Sequence, residues 1–182
     1  MPRVRPVADK SEVAPQYHPI VDEVLKTFGG IRGPHSILLL SPPVDDKALA
    51  LGNYFRTESV VKSPERELAI ITAAREKDCL YVWAAQVAAG RRGGLREEAI
   101  DTVRDRSDVS SLRPDEAEIV SYVRQLFRSN RVDQASFDAL KDRYGIQWLI
   151  EMTTVVGYYA MLAGVVNAVE LPAPEDGEKL PV

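Results

Sequence analysis

Apolar side chains recur every three or four positions along most of the chain, which is the spacing of one face of an α-helix. The first predicted helix carries them at positions 20, 21, 24, 25 and 28 and ends at Gly29-Gly30. Strict alternation of apolar and polar residues, which is typical of half-buried strands, is scarce. The apolar run 36–40 is the one segment that alone could form a strand. The pattern therefore predicts an all-α fold.

Cap residues and glycines divide the rest of the chain into further helices. Ser63 is predicted to cap one of them with its hydroxyl, and Asp133 to cap the helix that holds Phe137 and Leu140. Besides the first helix and the one after Asp133, the predicted helices cover residues 45–55, 63–78, 79–89, 96–106, 114–129 and 146–170. The predicted organisation is an N-terminal arm over residues 1–19, one helical domain over 20–171 and a flexible tail over 172–182.

Composition narrows the class of protein. The 182 residues include 27 acidic and 23 basic side chains, a net charge of −4, with one cysteine and two histidines. This balance predicts no nucleic-acid partner, because a phosphate backbone is bound by basic surfaces. One cysteine excludes an internal disulfide framework, and two histidines without nearby ligand partners predict no metal site. We expect a single cytoplasmic domain with no secretory signal.

Residues 152–169 carry no formal charge, which raises the question of a membrane span. The segment contains two threonines, two tyrosines, two glycines and an asparagine, and no basic cluster flanks it. We therefore predict no membrane partner and expect this helix to be buried in a homo-oligomer.

Glu67 is the first candidate for chemistry. It lies near the start of a predicted helix among Leu68, Ile70 and Ile71, where a partly desolvated carboxylate can serve as a general base. The alternative is that Glu67 pairs with an arginine and only closes an interface.

The next helix carries Cys79, Trp83 and Gln86 on one face. Cys79 lies near a helix N-terminus, where the helix dipole favours a thiolate and would make it nucleophilic. The alternative is a small buried hydrophobe, since no histidine is near in sequence to take its proton.

Arg56 and Tyr54 are candidates for holding a substrate, because a guanidinium can bind a carboxylate with two hydrogen bonds. The alternative is a surface arginine beside a packed tyrosine. His18 and His35 are distant in sequence from Glu67, and sequence cannot test whether either one joins it in space.

Several blocks along the chain carry a resemblance to a known family. They are Leu51–Arg56, Arg66–Ile70, Cys79–Gln86, Gly94–Ile100 and Gly157–Leu162. Residues 49–171 resemble the carboxymuconolactone decarboxylase family, which includes the alkylhydroperoxidase D-like proteins. The resemblance implies an all-α fold built on a central helical hairpin, assembled as a homotrimer or homohexamer, with sites near subunit contacts.

The same resemblance shows where this chain departs from the family pattern. Peroxidases of the family use a glutamate, a Cys-x-x-Cys pair and a histidine four positions after the second cysteine. Glu67 matches the glutamate and Cys79 the first cysteine, whereas Val82 and Gln86 replace the second cysteine and the histidine. Valine cannot resolve a disulfide, and glutamine carries no proton at neutral pH. The dithiol cycle and its proton relay are therefore not retained.

Other family members act on small carboxylated ring compounds without a cofactor. Their Tyr-Glu-Trp frame stands here as Tyr81-Val82-Trp83. Our leading hypothesis is a cofactor-independent enzyme that transfers a proton on a small carboxylated or aromatic-derived substrate. The predicted catalytic residues are Glu67, Cys79 and Gln86, and the predicted substrate contacts are Tyr54, Arg56, Tyr81 and Trp83. Two alternatives stay open: a thiol peroxidase using Cys79 with an external thiol, and a non-catalytic oligomer.

Overall fold

The computed structural model describes residues 2–181 and confirms the all-α prediction, with nine α-helices and no strand in that part of the chain. Short 3-10 turns occupy Lys10–Glu12, Pro15–Tyr17 and Val109–Ser111. The helices are α1 (His18–Phe28), α2 (Pro34–Leu38), α3 (Pro42–Thr57), α4 (Glu65–Glu76), α5 (Leu80–Arg92), α6 (Glu97–Arg104), α7 (Pro114–Arg128), α8 (Gln134–Tyr144) and α9 (Ile146–Ala168).

Helix α4 lies at the centre of the fold. Every residue from Glu67 to Arg75 is buried, and the helix packs against α5, α7 and α9. A helix with apolar side chains on all sides needs neighbours on all sides. The antiparallel pair of α4 and α5 is the predicted central hairpin.

Two local predictions are corrected by the structure. The run 36–40 is helical up to Leu38, because Gly33 and Pro34 begin α2 and its apolar side chains pack towards α9. Ser63 does not cap α4, which begins at Glu65 with Pro64 in the N-cap position. By contrast, the Asp133 cap is confirmed, since its carboxylate accepts from the backbone N–H of Ser136 at 2.8 Å.

Both terminal segments contact the helical body. Val7 and Val13 of the N-terminal arm are buried in a small cluster with Val21 of α1 and Leu39. In the tail Leu180 is buried, and Glu178 pairs with Arg91 at 2.5 Å. The flexibility of residues 172–182 stays a prediction.

Glu151 of α9 fixes the segment that follows α3. Tyr54 Oη and Gln147 Nε2 donate to its Oε1 at 2.9 and 2.8 Å. Ser59 Oγ and the N–H of Val60 donate to Oε2 at 2.7 and 2.9 Å. Burial alone would raise the pKa of Glu151, but these hydrogen bonds lower it to about 2. This Glu151 clamp holds the end of α3 against α9.

Helix α9 is the one helix in residues 2–181 that is long and apolar enough, by length and composition, to cross a membrane. Its inner face instead packs in the core of the bundle, where Leu149, Met152 and Val156 are fully buried. Its outer face is apolar as well, since Ile146 and Ile150 are more than half exposed. The outer stripe of α9 consists of Ile146, Ile150, Thr154, Gly157, Met161, Gly164 and Ala168. A helix that is apolar on both faces favours burial in a larger assembly; oligomeric state and cytoplasmic location stay predictions.

Replacing Glu151 with glutamine is expected to lower the free energy of unfolding at neutral pH by about 1–3 kcal/mol, because a charged hydrogen-bond acceptor is lost. The pKa of Glu151 in the folded protein lies below its ordinary value of 4.5, so its stabilisation is complete above that pH and is lost as pH falls towards about 2. Urea unfolding of the wild type and of Glu151→Gln should be measured from neutral pH downwards. The difference between their free energies of unfolding should shrink as the pH falls from 4.5 towards about 2. The exposed Glu58→Gln is the control, and equal neutral-pH stability of Glu151→Gln and wild type would contradict the clamp.

Placing a charge on the outer stripe of α9 is expected to dissociate the predicted trimer or hexamer, because burial of an unpaired carboxylate opposes assembly. Light scattering after size exclusion should give a smaller species for Ile150→Glu than for wild type. Leu25→Glu, an exposed apolar position on α1, is the matched control. A monomeric wild type would overturn this prediction.

Candidate active site

A cavity of about 650 Å³ opens where the ends of several helices meet. The connection between α1 and α2, the end of α3, the start of α4, one face of α5 and part of α9 form its walls. The volume suits a small organic molecule. Of the residues predicted from sequence, Arg56, Glu67, Tyr81 and Gln86 line this cavity.

Glu67 lies in the first turn of α4 and is only 6% exposed. Its Oε1 accepts from Arg66 Nε and Nη2 at 3.1 and 3.0 Å, and Ser63 Oγ lies 3.4 Å away. The same guanidinium donates to the carbonyl of Phe55 at 2.8 Å, which ties α4 to α3. Oε2 has no hydrogen-bond partner within residues 2–181. Glu67 is therefore paired with an arginine through Oε1, and Oε2 is a buried acceptor without a partner.

Four arginines line the cavity against one carboxylate, that of Glu67. Arg66 pairs with this carboxylate, but Arg32, Arg56 and Arg92 form no ion pair in the described chain. Arg56 is held over the ring of Phe28 at 4.6 Å, and Arg32 donates to the carbonyl of Phe28 at 2.9 Å. The cavity therefore has a local excess of positive charge, which favours a bound anion.

Three tyrosines, Tyr81, Tyr158 and Tyr159, line the same cavity. Burial raises the pKa of Tyr81 and of Tyr158. Burial, followed by the nearby charge of Glu67, raises the pKa of Tyr159 to about 12. All three phenols are therefore protonated at neutral pH and can donate hydrogen bonds to a substrate. Gln86 adds an amide, which can orient a substrate but cannot accept its proton.

Two glycines allow these rings to approach the backbone. Gly33 has φ +60°, and a Cβ on it would lie 2.7 Å from Cε1 of Tyr81. A Cβ on Gly52 would lie 2.5 Å from the hydroxyl oxygen of Tyr158. Any larger residue at these two positions would displace a tyrosine from the cavity wall.

Cys79, Trp83 and Tyr54 lie outside the cavity lining, so this cavity gives no support to their predicted contact with a substrate. Cys79 is the N-cap of α5 and has no exposed surface. Burial raises the pKa of its thiol, although backbone N–H groups of α5 act in the opposite direction. Trp83 is fully buried, and Tyr54 is committed to Glu151. Cys79 and Trp83 are enclosed by the core packing around the hairpin, which sequence spacing does not show.

His35 lines the cavity, although its distance from Glu67 in sequence gave no reason to place it there. Its Nδ1 lies 2.6 Å from Asp45 Oδ1, and both side chains are buried. One feature of the sequence does indicate a buried partner for Asp45. It shares the buried face of α3 with Ala48 and Leu49, and an acidic residue on an apolar face implies a buried partner.

The comparisons with known proteins identify this architecture. An uncharacterized peroxidase-related protein from Ralstonia eutropha with an alkylhydroperoxidase AhpD core superposes with a TM-score of 0.76. It is 17% identical, and the match covers 96% of this chain and 93% of that one. The chain has the AhpD-core fold. A protein of unknown function from Agrobacterium tumefaciens, described as a candidate antioxidant defence protein AhpD, also superposes, with a TM-score of 0.69 and 16% identity. That match covers 76% of this chain and 96% of the other.

Neither a family model nor a curated protein sequence matches the chain. At such low identity the two AhpD-like structures establish the fold, and they leave the reaction to be argued from this cavity. No group of three or more His, Cys, Asp or Glu side chains among the described residues is placed to hold a metal ion.

The raised pKa of Cys79 predicts a slow reaction with alkylating reagents. A higher pKa leaves less thiolate at any given pH, and burial blocks the reagent. Iodoacetamide at neutral pH, followed by intact mass, should modify the native protein at least about tenfold more slowly than the chain unfolded in guanidinium. Because Cys79 is the only cysteine, the mass change is unambiguous. Equal rates would restore the thiol as a candidate nucleophile.

Proposed function

We propose that this chain is an enzyme that transfers a proton on a small carboxylated organic substrate bound in the arginine-lined cavity, without a cofactor. The observation that carries the proposal is the excess of four arginines over the single carboxylate of Glu67 in that cavity. Three guanidinium groups without a carboxylate partner among the described residues favour a substrate that brings its own negative charge.

Glu67 is the proposed base. Its Oε1 is oriented by Arg66, and its Oε2 is buried and has no hydrogen-bond partner among the described residues. When it accepts a proton from a substrate carbon, the electron pair left behind spreads onto an adjacent carbonyl or carboxylate of the substrate. Tyr81, Gln86 and the arginines can stabilise that developing charge with hydrogen bonds.

The two alternative functions have less support in this geometry. A peroxidase that uses Cys79 needs peroxide to reach a thiol that is fully buried and lies outside the cavity lining. The non-catalytic alternative predicts a closed apolar space around Glu67, whereas this cavity is open and is lined by charged and hydroxyl-bearing residues.

Anion binding is the direct test of the proposed substrate class. Benzoate and muconolactone are expected to raise the melting temperature of the wild type, whereas neutral benzamide should not. Arg92→Gln should weaken benzoate binding about tenfold, because one charge-assisted hydrogen bond is lost. Arg91→Gln is a matched control, since Arg91 is the neighbouring arginine but pairs with Glu97 and Glu178 outside the cavity lining.

The same samples test the role of Glu67. Glu67→Gln should keep or strengthen benzoate binding, because it removes a negative charge from an anion site. In Glu67→Gln, the rate at which muconolactone C–H protons exchange for deuterium from D₂O should fall at least about 100-fold relative to wild type. Proton NMR measures this rate. A wild type that binds neither anion contradicts the substrate class. Full exchange in Glu67→Gln contradicts only the assignment of the base.

A further inference from the structure

We propose that His35, oriented by Asp45, is a second proton-transfer residue of this cavity. The inference rests on the proposed function and adds a partner to Glu67 that the α4–α5 hairpin does not supply. Helix α5 presents Gln86 to the cavity, and an amide carries no proton at neutral pH. Apart from Glu67 and His35, the titratable side chains in the lining are arginines and tyrosines, and the tyrosines are held neutral.

The first observation is the hydrogen bond between the ring and the carboxylate. His35 Nδ1 lies 2.6 Å from Asp45 Oδ1, and Asp45 has no exposed surface. A carboxylate that accepts from Nδ1–H fixes both the tautomer and the orientation of an imidazole, and it stabilises the imidazolium form. Asp45 Oδ2 has no further partner among the described residues, so His35 is its one hydrogen-bonded side chain.

The second observation is the state of the other ring nitrogen. His35 lines the cavity, and its Nε2 hydrogen-bonds to no described residue. Nε2 keeps some accessible surface, although His35 as a whole is only 5% exposed, whereas Asp45 Oδ2 and Glu67 Oε2 are both buried without a partner. A pair that only joined α2 to α3 would have no need of an open nitrogen at the wall that also holds Glu67.

The third observation is that the ring is fixed in place. It packs on Phe28 with centroids 4.7 Å apart, and α2 packs against both α3 and α9. The backbone of the next residue, Ser36, accepts from the N–H of Val7 at 2.8 Å, so the N-terminal arm supports α2. Catalytic groups act best when their surroundings hold them in one orientation.

The proton transfer balances between the two groups. When Glu67 enters as a carboxylate and His35 as an imidazolium, Glu67 takes a proton from a substrate carbon, and the C–H electron pair moves onto the conjugated carbonyl. His35 then delivers its Nε2 proton to a different atom of that system. The result is a shifted double bond, a protonated Glu67 and a neutral His35. Water in the open cavity returns the proton from Glu67 to His35, and the reverse reaction exchanges the two roles.

The first test reads the ring itself and needs no turnover. The chain has two histidines, so nitrogen-15 NMR resolves both rings. His18, whose Nε2 lies 2.9 Å from the carbonyl of Val13, is the internal reference. We expect a protonated, hydrogen-bonded Nδ1 at His35 that is lost in Asp45→Asn, and a benzoate-induced shift of His35 Nε2 with no shift of His18. Benzoate that binds without shifting His35 would overturn the proposal.

The second test separates this role from a structural one. His35→Gln should bind benzoate within about threefold of wild type, yet exchange muconolactone protons at least about 100-fold more slowly. His18→Gln should keep wild-type exchange. Full exchange in His35→Gln overturns the role of His35 and leaves the proposed function standing. A wild type that neither binds nor exchanges overturns both, and if His35→Gln does not fold, the NMR test on wild type decides.

Discussion

The burial of α4 from Glu67 to Arg75 is the constraint on which the rest of the structure depends. A stretch of helix enclosed by α5, α7 and α9 cannot place its charged residues in bulk water, so Glu67 and Arg75 need partners inside the protein. Arg75 finds them by donating to the carbonyl of Arg104 at 2.8 Å and by pairing with Asp78. At the other end of the helix, Glu67 is only half satisfied by Arg66. The cavity therefore opens where the apolar packing of α4 stops.

The positive charge of the cavity contrasts with the rest of this acidic chain. Arg96, Arg128 and Arg143 each form a two-bonded pair with a glutamate elsewhere in the fold. The fold thus provides acidic partners readily, since its net charge is −4. Arg32, Arg56 and Arg92 lie on three different elements and converge without such partners. Arginines without acidic partners that line one cavity are typical of a site that a ligand completes.

Local patterns predicted most of the helices because each depends on residues a few positions apart. The central hairpin of α4 and α5 was implied by the family resemblance of short blocks, which also pointed to Glu67 and Gln86. The errors have a different origin. Cys79 does cap α5, but its burial results from helices that pack on the hairpin from distant parts of the chain. The contact of His35 with Asp45 depends on the turn between α2 and α3, and the arginine cluster depends on four separate parts of the chain. The spacing of residues within one helix cannot predict such contacts.

The placement of the candidate site explains why family-like blocks alone describe it incompletely. Those blocks lie within residues 49–171, whereas Arg32 and Gly33 come from the connection between α1 and α2, and His35 comes from α2 itself. That connection is held by a small apolar cluster that includes Val7, Val13 and Leu39. The N-terminal arm is thus part of the support of the cavity, because it positions α2 against α9. An AhpD-core hairpin with Val82 and Gln86 in place of a cysteine and a histidine can keep a proton-carrying pair only if another element brings a second titratable group, and α2 is the element that does so.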